Sequence, residues 1–199
     1  MRYTQQARIQ LRGGTGFRRP PMPPGAVRMD NPAGAVMTDF TVHQPITIAP
    51  DVPIDSALET MRVSGVRLLL VVNPAEEIIG VVSSYDIQGE KPVALFRQRR
   101  LWRSEITVAM VMIPQANTEV LALDAVARLR VGHIVETLRQ MERQHVLVVE
   151  VDDATGTQRV CGMFSLTQIA RQVGIEVERL ADEADAGGFV ELLRNGVNP

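Results

Sequence analysis

The sequence predicts a mixed α/β (α+β) fold of two stacked units, each with the element order β-α-β-β-α. Three observations support this prediction: a short lead-in, an amphipathic helix, and a hairpin ending in a glycine-serine elbow each occur twice, in the same order. A unit of about 55–65 residues has one apolar sheet face and little core of its own. We therefore expect the two units to stack face to face as one tandem domain.

The lead-in is the first repeated element. Residues 35–37 read AVM and residues 110–112 read MVM, at an offset of 75. In the first half a β-branched stretch, Ile46-Thr47-Ile48, follows the lead-in and is predicted to be a short strand.

An amphipathic helix is the second repeated element. In the first half, apolar residues recur at i, i+3, i+4 and i+7, just after Pro53, which suits a first helical position. This stripe comprises Ile54, Ala57, Leu58 and Met61. The same template at an offset of 80 selects Ile134, Thr137, Leu138 and Met141. We therefore predict one amphipathic helix in each half.

Each predicted helix is followed by two apolar runs separated by a turn, a pattern typical of β-hairpins. The runs are VRLLLVV (66–72) and IIGVV (78–82) in the first half, and HVLVVEV (145–151) and VCGMF (160–164) in the second. The hairpins end in similar elbows, GVVSSYDI (80–87) and GMFSLTQI (162–169), at an offset of 82. A helix is predicted after the second elbow, with Gly174 as its stop.

Charge and composition predict the domain boundaries. Residues 1–34 hold six arginines and one aspartate, whereas residues 175–199 hold six acids and two arginines. We predict a basic, Gly/Pro-rich, flexible arm (1–34), a first unit (35–88), a linker helix (89–107), a second unit (108–174) and an acidic tail (175–199). In the tail, Phe189, Val190, Leu192 and Leu193 could pack on a partner.

Cysteine usage and hydropathy indicate the compartment. The 199-residue chain has one cysteine, Cys161, and no apolar run near the roughly 18 residues that a membrane span needs. Its N-terminus lacks the apolar segment of a secretory signal. We therefore expect a cytoplasmic protein with no membrane contact, in which Cys161 is a small buried hydrophobe.

The ordered set of repeated elements resembles the tandem CBS-domain module, also called the Bateman module, over roughly residues 35–174. The resemblance is carried by Val36-Met37-Thr38, Ile46-Thr47-Ile48, Pro50-Asp51, Ile54–Met61, Gly65-Val66, Leu70-Val71-Val72 and Gly80-x-x-Ser83-x-x-Asp86, and less closely by Val111-Met112, Ile134–Met141, Val146–Val151 and Gly162-x-x-Ser165. It implies a regulatory, non-enzymatic pair of β-α-β-β-α units with pseudo-two-fold symmetry. The two clefts of such a pair commonly bind AMP, ADP, ATP or S-adenosylmethionine. It implies no required cofactor, a homodimer, and a regulated protein that the sequence does not name.

Two features depart from this family. A proline often precedes the valines of the family's last strand, but here Leu70 stands at that place in the first unit, and Leu147 or Glu150 in the second. The second elbow also has Gln168 where the first has Asp86.

The first elbow fits two roles. A serine followed three residues later by an acid approximates a capping box, which needs no ligand. The same helix start could hold a phosphate, while the carboxylate accepts from both ribose hydroxyls. In nucleotide-binding CBS modules the matching residues contact phosphate and ribose. The resemblance therefore implies a ligand site in the first unit, comprising Ser83, Asp86, Ile46, Thr47, Arg67, Leu68 and Leu70.

The other predicted site residues follow from their positions. Leu68 and Leu70 could form an apolar slot for a purine, and Arg67 could meet a phosphate. In the second unit, Ser165 and Gln168 are expected to form a weaker or vacant site, because a neutral amide makes weaker hydrogen bonds than a carboxylate. Ser165 could equally be a plain helix cap.

Two other function classes stay open. One is a structural or partner-binding module with vacant clefts. The other is a nucleic-acid binder that uses the basic arm and the arginines of FRQRRLWR (96–103). We disfavour the second, because Phe96 and Trp102 are expected to pack inward from a linker helix. The three histidines (His43, His133 and His145) lack metal-ligand spacing, so we predict no metal, and no nucleophile–base pair suggests an enzyme.

Overall fold

The computed structural model describes residues 27–174. Its strands are β1 (Thr38–Asp39), β2 (Thr47–Ile48), β3 (Leu68–Val72), β4 (Ile78–Ser83), β5 (Ile113–Pro114), β6 (Val120–Ala122), β7 (His145–Val151) and β8 (Gln158–Ser165). Its α-helices are α1 (Ile54–Ser64), α2 (Ser84–Gln88), α3 (Glu90–Arg99), α4 (Val108–Val111), α5 (Leu123–Val126), α6 (Val131–Gln140) and α7 (Leu166–Val173). Most of the predicted arm and the whole predicted tail lie outside the described residues.

The strands form two four-stranded sheets, in the orders β2-β3-β4-β5 and β1-β8-β7-β6. Each sheet takes its outer antiparallel strand from the lead-in of the other unit: Thr38 in β1 pairs with Met163 in β8, and Ile113 in β5 pairs with Val81 in β4. Each unit therefore completes the sheet of the other. The sequence prediction assigned each lead-in to its own unit and did not include this exchange.

Gly80 and Gly162 allow the exchanged strands to approach. A Cβ atom at Gly80 would lie 2.6 Å from the carbonyl oxygen of Ile113, and one at Gly162 would lie 2.8 Å from that of Thr38. Both distances are shorter than a side chain tolerates against backbone. The repeated glycine is thus explained by packing between the units, because only a residue without Cβ fits there.

The hairpins of the two units have the same register. Leu68 lies opposite Ser83 in the first, and His145 lies opposite Ser165 in the second. Each hairpin has an irregularity at the matching place, after Val71 and after Val148. Leu68 and His145 are therefore equivalent positions.

The long helices are also equivalent, but the predicted register of the second one was wrong. Helix α1 buries Ile54, Ala57 and Met61, as predicted, whereas α6 buries Val131, Ile134, Val135 and Leu138. The template at an offset of 80 included Thr137 and Met141, which are only half-buried. Pro53 and Arg130 both immediately precede their helices, so the correct offset is 77. Two apolar stripes overlap in this segment, and the wholly apolar one faces the core.

The two sheets face each other across a shared apolar layer, and the helices cover their outer sides. Leu70, Val81 and Leu147 are buried between the sheets, while Leu69 and Val71 alternate toward α1. Since successive residues of a strand point to opposite faces, both faces of β3 are buried. The predicted fold class, two stacked α/β units, is confirmed.

The linker contains α3, but its aromatic residues do not pack as predicted. Phe96 and Trp102 are exposed by 49% and 68%, and their rings meet edge to face at 5.8 Å. Pro92 is buried instead, and Leu95 and Leu101 pack against the core of the first unit. The inward orientation of the two aromatic residues was therefore wrong, because smaller apolar residues fill that side of the linker.

Residues 27–34, which the sequence prediction placed in the arm, pack on the second unit. The amide of Val27 donates to the carbonyl of Gln172 at 3.2 Å, and Ala33 is fully buried beside α6.

Cys161 is half-buried, and burial raises the pKa of its thiol. Among the described helices, none has the length and apolar character to cross a bilayer.

Candidate functional site

A cavity of about 510 Å³ lies where the two units meet. Its wall is formed by Thr38, Phe40, Val42, His43, Gln44, Pro45, Ile46, Ser64, Gly65, Val66, Arg67, Leu68, Leu70, His145, Met163, Ser165, Thr167, Gln168 and Arg171. The size is within the range of small-molecule sites, roughly 300–1,000 Å³. The exchange of β1 creates this arrangement, since it brings the first lead-in to the elbow of the second unit.

The cavity brings together most, but not all, of the predicted site residues. Its wall includes Ile46, Arg67, Leu68 and Leu70 from the first unit together with Ser165 and Gln168 from the second. The remaining predicted residues, Thr47, Ser83 and Asp86, do not line it. The strand residues of the first unit thus share a cavity with the second elbow, whereas the sequence prediction grouped them with the first.

The first elbow is a closed capping box. The Ser83 hydroxyl accepts from the Asp86 amide at 3.2 Å, and one Asp86 carboxylate oxygen accepts from the Ser83 amide at 3.0 Å and the Ser83 hydroxyl at 2.6 Å. Asp86 is only 5% exposed. The capping interpretation therefore accounts for every hydrogen bond between Ser83 and Asp86.

Lys91 occupies the second oxygen of the same carboxylate. Its ammonium group lies 2.6 Å from Asp86 Oδ1 and donates to the Val111 carbonyl at 2.7 Å. The lysine thereby joins the first elbow to α3 and to the end of α4. With three donors on a carboxylate that has about four acceptor positions, Asp86 has little capacity left for a ligand.

The second elbow is open. Ser165 stands before α7 without a side-chain capping bond, and among the described residues its hydroxyl has no hydrogen-bond partner, although it is only 9% exposed. Gln168 Oε1 accepts from the Thr38 hydroxyl at 2.9 Å. The amide therefore anchors the exchanged lead-in and does not return to its own elbow.

The charged side chains of the cavity wall are all basic. Arg67 and Arg171 belong to the wall, and no aspartate or glutamate does among residues 27–174. Arg67 comes from the first unit, and its Nη1 lies 3.5 Å from Thr167 Oγ1 of the second. Such a site favours an anionic ligand, because a guanidinium group makes charge-assisted hydrogen bonds to a carboxylate or phosphate.

His43 and His145 also belong to the wall. Burial, and then the positive charge of Arg67, lower the pKa of His145 from 6.5 to about 4, although the Asp86 carboxylate acts in the opposite direction. His145 is therefore neutral at physiological pH.

A family comparison identifies the architecture. Residues 33–90 match the model of the CBS domain. A structure of an uncharacterised conserved protein from Pyrococcus horikoshii aligns with a TM-score of 0.52 at 16% identity, covering 75% of this chain and 97% of the other. A CBS-domain-containing protein from Agrobacterium tumefaciens aligns with a TM-score of 0.50 at 15% identity, covering 69% and 93%. Residues 33–90 thus match a CBS domain, and the described part of the chain shares the fold of these structures.

Two further comparisons add no function to this chain. CBSX2 in complex with AMP aligns with a TM-score of 0.47 at 19% identity, covering 77% of this chain and 98% of the other, an overlap too low to transfer a ligand. A search of curated proteins finds no match. CBS-domain pairs are typically regulatory modules.

Sequence reasoning missed several polar residues of the cavity, among them Thr38, His145 and Arg171. One signal was available for His145, because the repeat places a titratable residue where the first unit has Leu68. No such signal existed for Thr38 or Arg171, whose place at the cavity follows from the strand exchange. Within residues 27–174 no cluster of three or more His, Cys, Asp or Glu could hold a metal ion.

Proposed function

We propose that this CBS-domain pair is a regulatory module that binds an adenosine-containing ligand, without catalysis, in the cavity between its units. The ligand class, which is AMP, ADP, ATP or S-adenosylmethionine, follows from the family resemblance. The observation that carries the choice of cavity is the open second elbow, where the Ser165 hydroxyl has no partner among the described residues. The hydroxyl borders the cavity and is not among the fully buried unpaired atoms of the described residues, so it is accessible to exchange hydrogen bonds with a ligand.

The shape and chemistry of the wall support this proposal. Ile46, Leu68 and Leu70 offer an apolar surface for a flat purine, and Arg67 and Arg171 offer donors for an anionic group. Ligand sites of this size typically combine an apolar lining with a few polar groups that fix orientation. Thr47 is exposed and does not belong to the wall, so we assign it no contact.

We propose a structural role for the first elbow. Ser83 and Asp86 satisfy each other, and Lys91 neutralises the carboxylate. We therefore propose that Ser83 and Asp86 cap a helix and do not contact a ligand. The cleft at the first elbow is proposed to be vacant.

A thermal-shift panel of the four adenosyl compounds tests this assignment. We expect at least one compound to raise the melting temperature. Leu68→Trp should abolish the shift by filling the apolar wall, since Leu68 is half-buried and lines the cavity. Asp86→Asn should retain it. Tyr85→Trp is the matched control, because Tyr85 is exposed and lies outside this cavity.

The outcomes separate the alternatives. A shift that Asp86→Asn removes and Leu68→Trp leaves intact would locate the ligand at the first elbow. The absence of a shift with every compound would favour a structural or partner-binding module with vacant clefts.

The wider assembly is proposed from the family resemblance. We propose a cytoplasmic homodimer that acts on another protein, and light scattering of the purified chain checks the dimer. In the linker Arg103 pairs with Asp55 at 2.8 Å, but Arg97, Arg99 and Arg100 are exposed beside the exposed Phe96 and Trp102. The nucleic-acid alternative therefore stays open, and salt-sensitive retention on DNA or RNA tests it.

A further inference from the structure

We infer that the cavity between the units takes up a proton together with an anionic ligand, and that His145 carries this proton. The inference rests on the proposed function, since it concerns how the same cavity selects and regulates its ligand. The sequence analysis placed His145 in a predicted strand and gave it no binding role.

The position of His145 supports this role. It is the first residue of β7 and lies directly opposite Ser165 of β8. Side chains of directly opposed residues stand on the same face of a sheet. Both residues belong to the cavity wall, so the imidazole and the unpartnered hydroxyl face a common space.

The charges around His145 keep it neutral in the empty cavity. Arg67 approaches from the turn before β3, and Arg171 of α7 and His43 of the loop after β1 line the same wall. Within residues 27–174, Asp86 of α2 is the acid that stabilises the imidazolium, and its carboxylate already pairs with Lys91. Enclosure and Arg67 together outweigh Asp86, and the pKa of His145 lies at about 4.

An anion in the cavity reverses this balance. A phosphate group held by Arg67 and Arg171 would compensate the guanidinium charge that disfavours the imidazolium. The protonated ring would then donate a charge-assisted hydrogen bond to the ligand. Because the occupied site holds one more proton than the empty one, affinity must rise as pH falls.

The same charges select among adenosyl ligands. Two arginines and no described acid in the wall favour a phosphorylated compound such as AMP over S-adenosylmethionine, whose sulfonium is positive. Neutral adenosine should bind without proton uptake, since it brings no charge to compensate Arg67.

The internal repeat supplies a matched variant. Leu68 occupies the place of His145 in the first unit, opposite Ser83, so the strand accommodates leucine at this register. His145→Leu therefore removes the titratable group with little risk to the fold. His133→Gln is the control, because His133 is exposed on α6 and does not line the cavity.

Titration calorimetry of the full chain tests the inference, with AMP, adenosine, S-adenosylmethionine and inorganic pyrophosphate as probes. Experiments at pH 7.5 and 5.5, in buffers of different ionisation enthalpy, report affinity and proton uptake. We expect AMP and pyrophosphate to bind more tightly at pH 5.5, by at most about tenfold per pH unit for one proton. His133→Gln should behave like the unmodified protein, and His145→Leu should lose most of this change.

Each outcome has a defined meaning. Proton-coupled binding of pyrophosphate without binding of any adenosyl compound would overturn the proposed function and leave this inference standing. Adenosine binding as tightly as AMP, without proton uptake, would leave the proposed function standing and overturn the inference. An equal pH dependence in His145→Leu and the unmodified protein would remove the role of His145, and no binding of any probe would overturn both proposals.

Discussion

The two elbows have the same backbone plan and opposite chemical states. Both follow the last strand of a hairpin in the same register, and both lead into a helix. At the first, Ser83 and Asp86 satisfy each other, whereas at the second the Ser165 hydroxyl stays unpartnered beside a cavity. The comparison shows that two copies of one motif can share a backbone plan while their side chains differ. One serine is hydrogen-bonded within its elbow, and the other borders the cavity without a partner among the described residues.

The third residue after the serine accounts for the difference. Asp86 is short and accepts hydrogen bonds only, so it returns to the Ser83 amide and completes the box. Gln168 is one carbon longer and reaches the Thr38 hydroxyl of the exchanged lead-in. The substitution thus moves a hydrogen bond from within the elbow to the contact between the units.

Truncating the residue three positions after each serine, Asp86 or Gln168, should give the largest difference in stability between the two elbows. Asp86→Ala should lower the free energy of unfolding by about 3 kcal/mol, because it removes a cap and leaves Lys91 without its buried partner. Gln168→Ala should cost about 1 kcal/mol, the usual contribution of one neutral hydrogen bond. Urea unfolding monitored by circular dichroism measures both. Equal losses would show that the elbows are energetically alike.

The equivalent residues His145 and Leu68 should differ in how they make stability depend on pH, because only the histidine titrates. The folded pKa of His145, about 4, lies below its ordinary 6.5, so between these values the unfolded chain binds more protons. Stability is therefore complete above pH 6.5 and is lost as pH falls toward 4. From pH 7 to 5 the expected loss is about 2 kcal/mol.

His145→Leu, which makes the second hairpin resemble the first at this position, should abolish most of that loss. Denaturant unfolding at pH 7, 6 and 5 provides the measurement. A variant as acid-sensitive as the unmodified protein would place the responsible group elsewhere.

The serines themselves should give the smallest effect. Ser83→Ala should destabilise the protein by about 1 kcal/mol, because its hydroxyl caps α2. Ser165→Ala should change stability by less than about 0.5 kcal/mol, since Ser165 makes no capping bond. Thermal unfolding of the two variants side by side is sufficient. A larger loss at Ser165 would mean that this hydroxyl caps its helix after all.

Local patterns in the sequence predicted the repeated elements well. The hairpins, the elbows and the stop of α7 at Gly174 all depend on neighbours in the chain, and all are confirmed. The register of α6 was wrong because two stripes overlap and the local pattern does not say which one meets the sheet. The predicted inward packing of Phe96 and Trp102 was wrong for a similar reason, since the size of an apolar residue alone does not decide whether it reaches a core.

The composition of the cavity could not be predicted from local patterns. It depends on pairing between Thr38 and Met163, which lie in different units. Repeats indicate that two units stack, but they do not indicate that the lead-ins change places. The sequence could therefore nominate Leu68, Arg67 and Ser165 separately without assigning them to one wall.

The exchange of lead-ins also constrains how the chain can be made and divided. During synthesis the sheet of the second unit cannot gain its β1–β8 edge until residues beyond 160 have left the ribosome, although β1 emerges near the beginning. A gene cut at the linker would yield two fragments, each lacking the edge strand carried by the other. Both exchanged edges, β1 on β8 and β5 on β4, can therefore form only when the two fragments are present together.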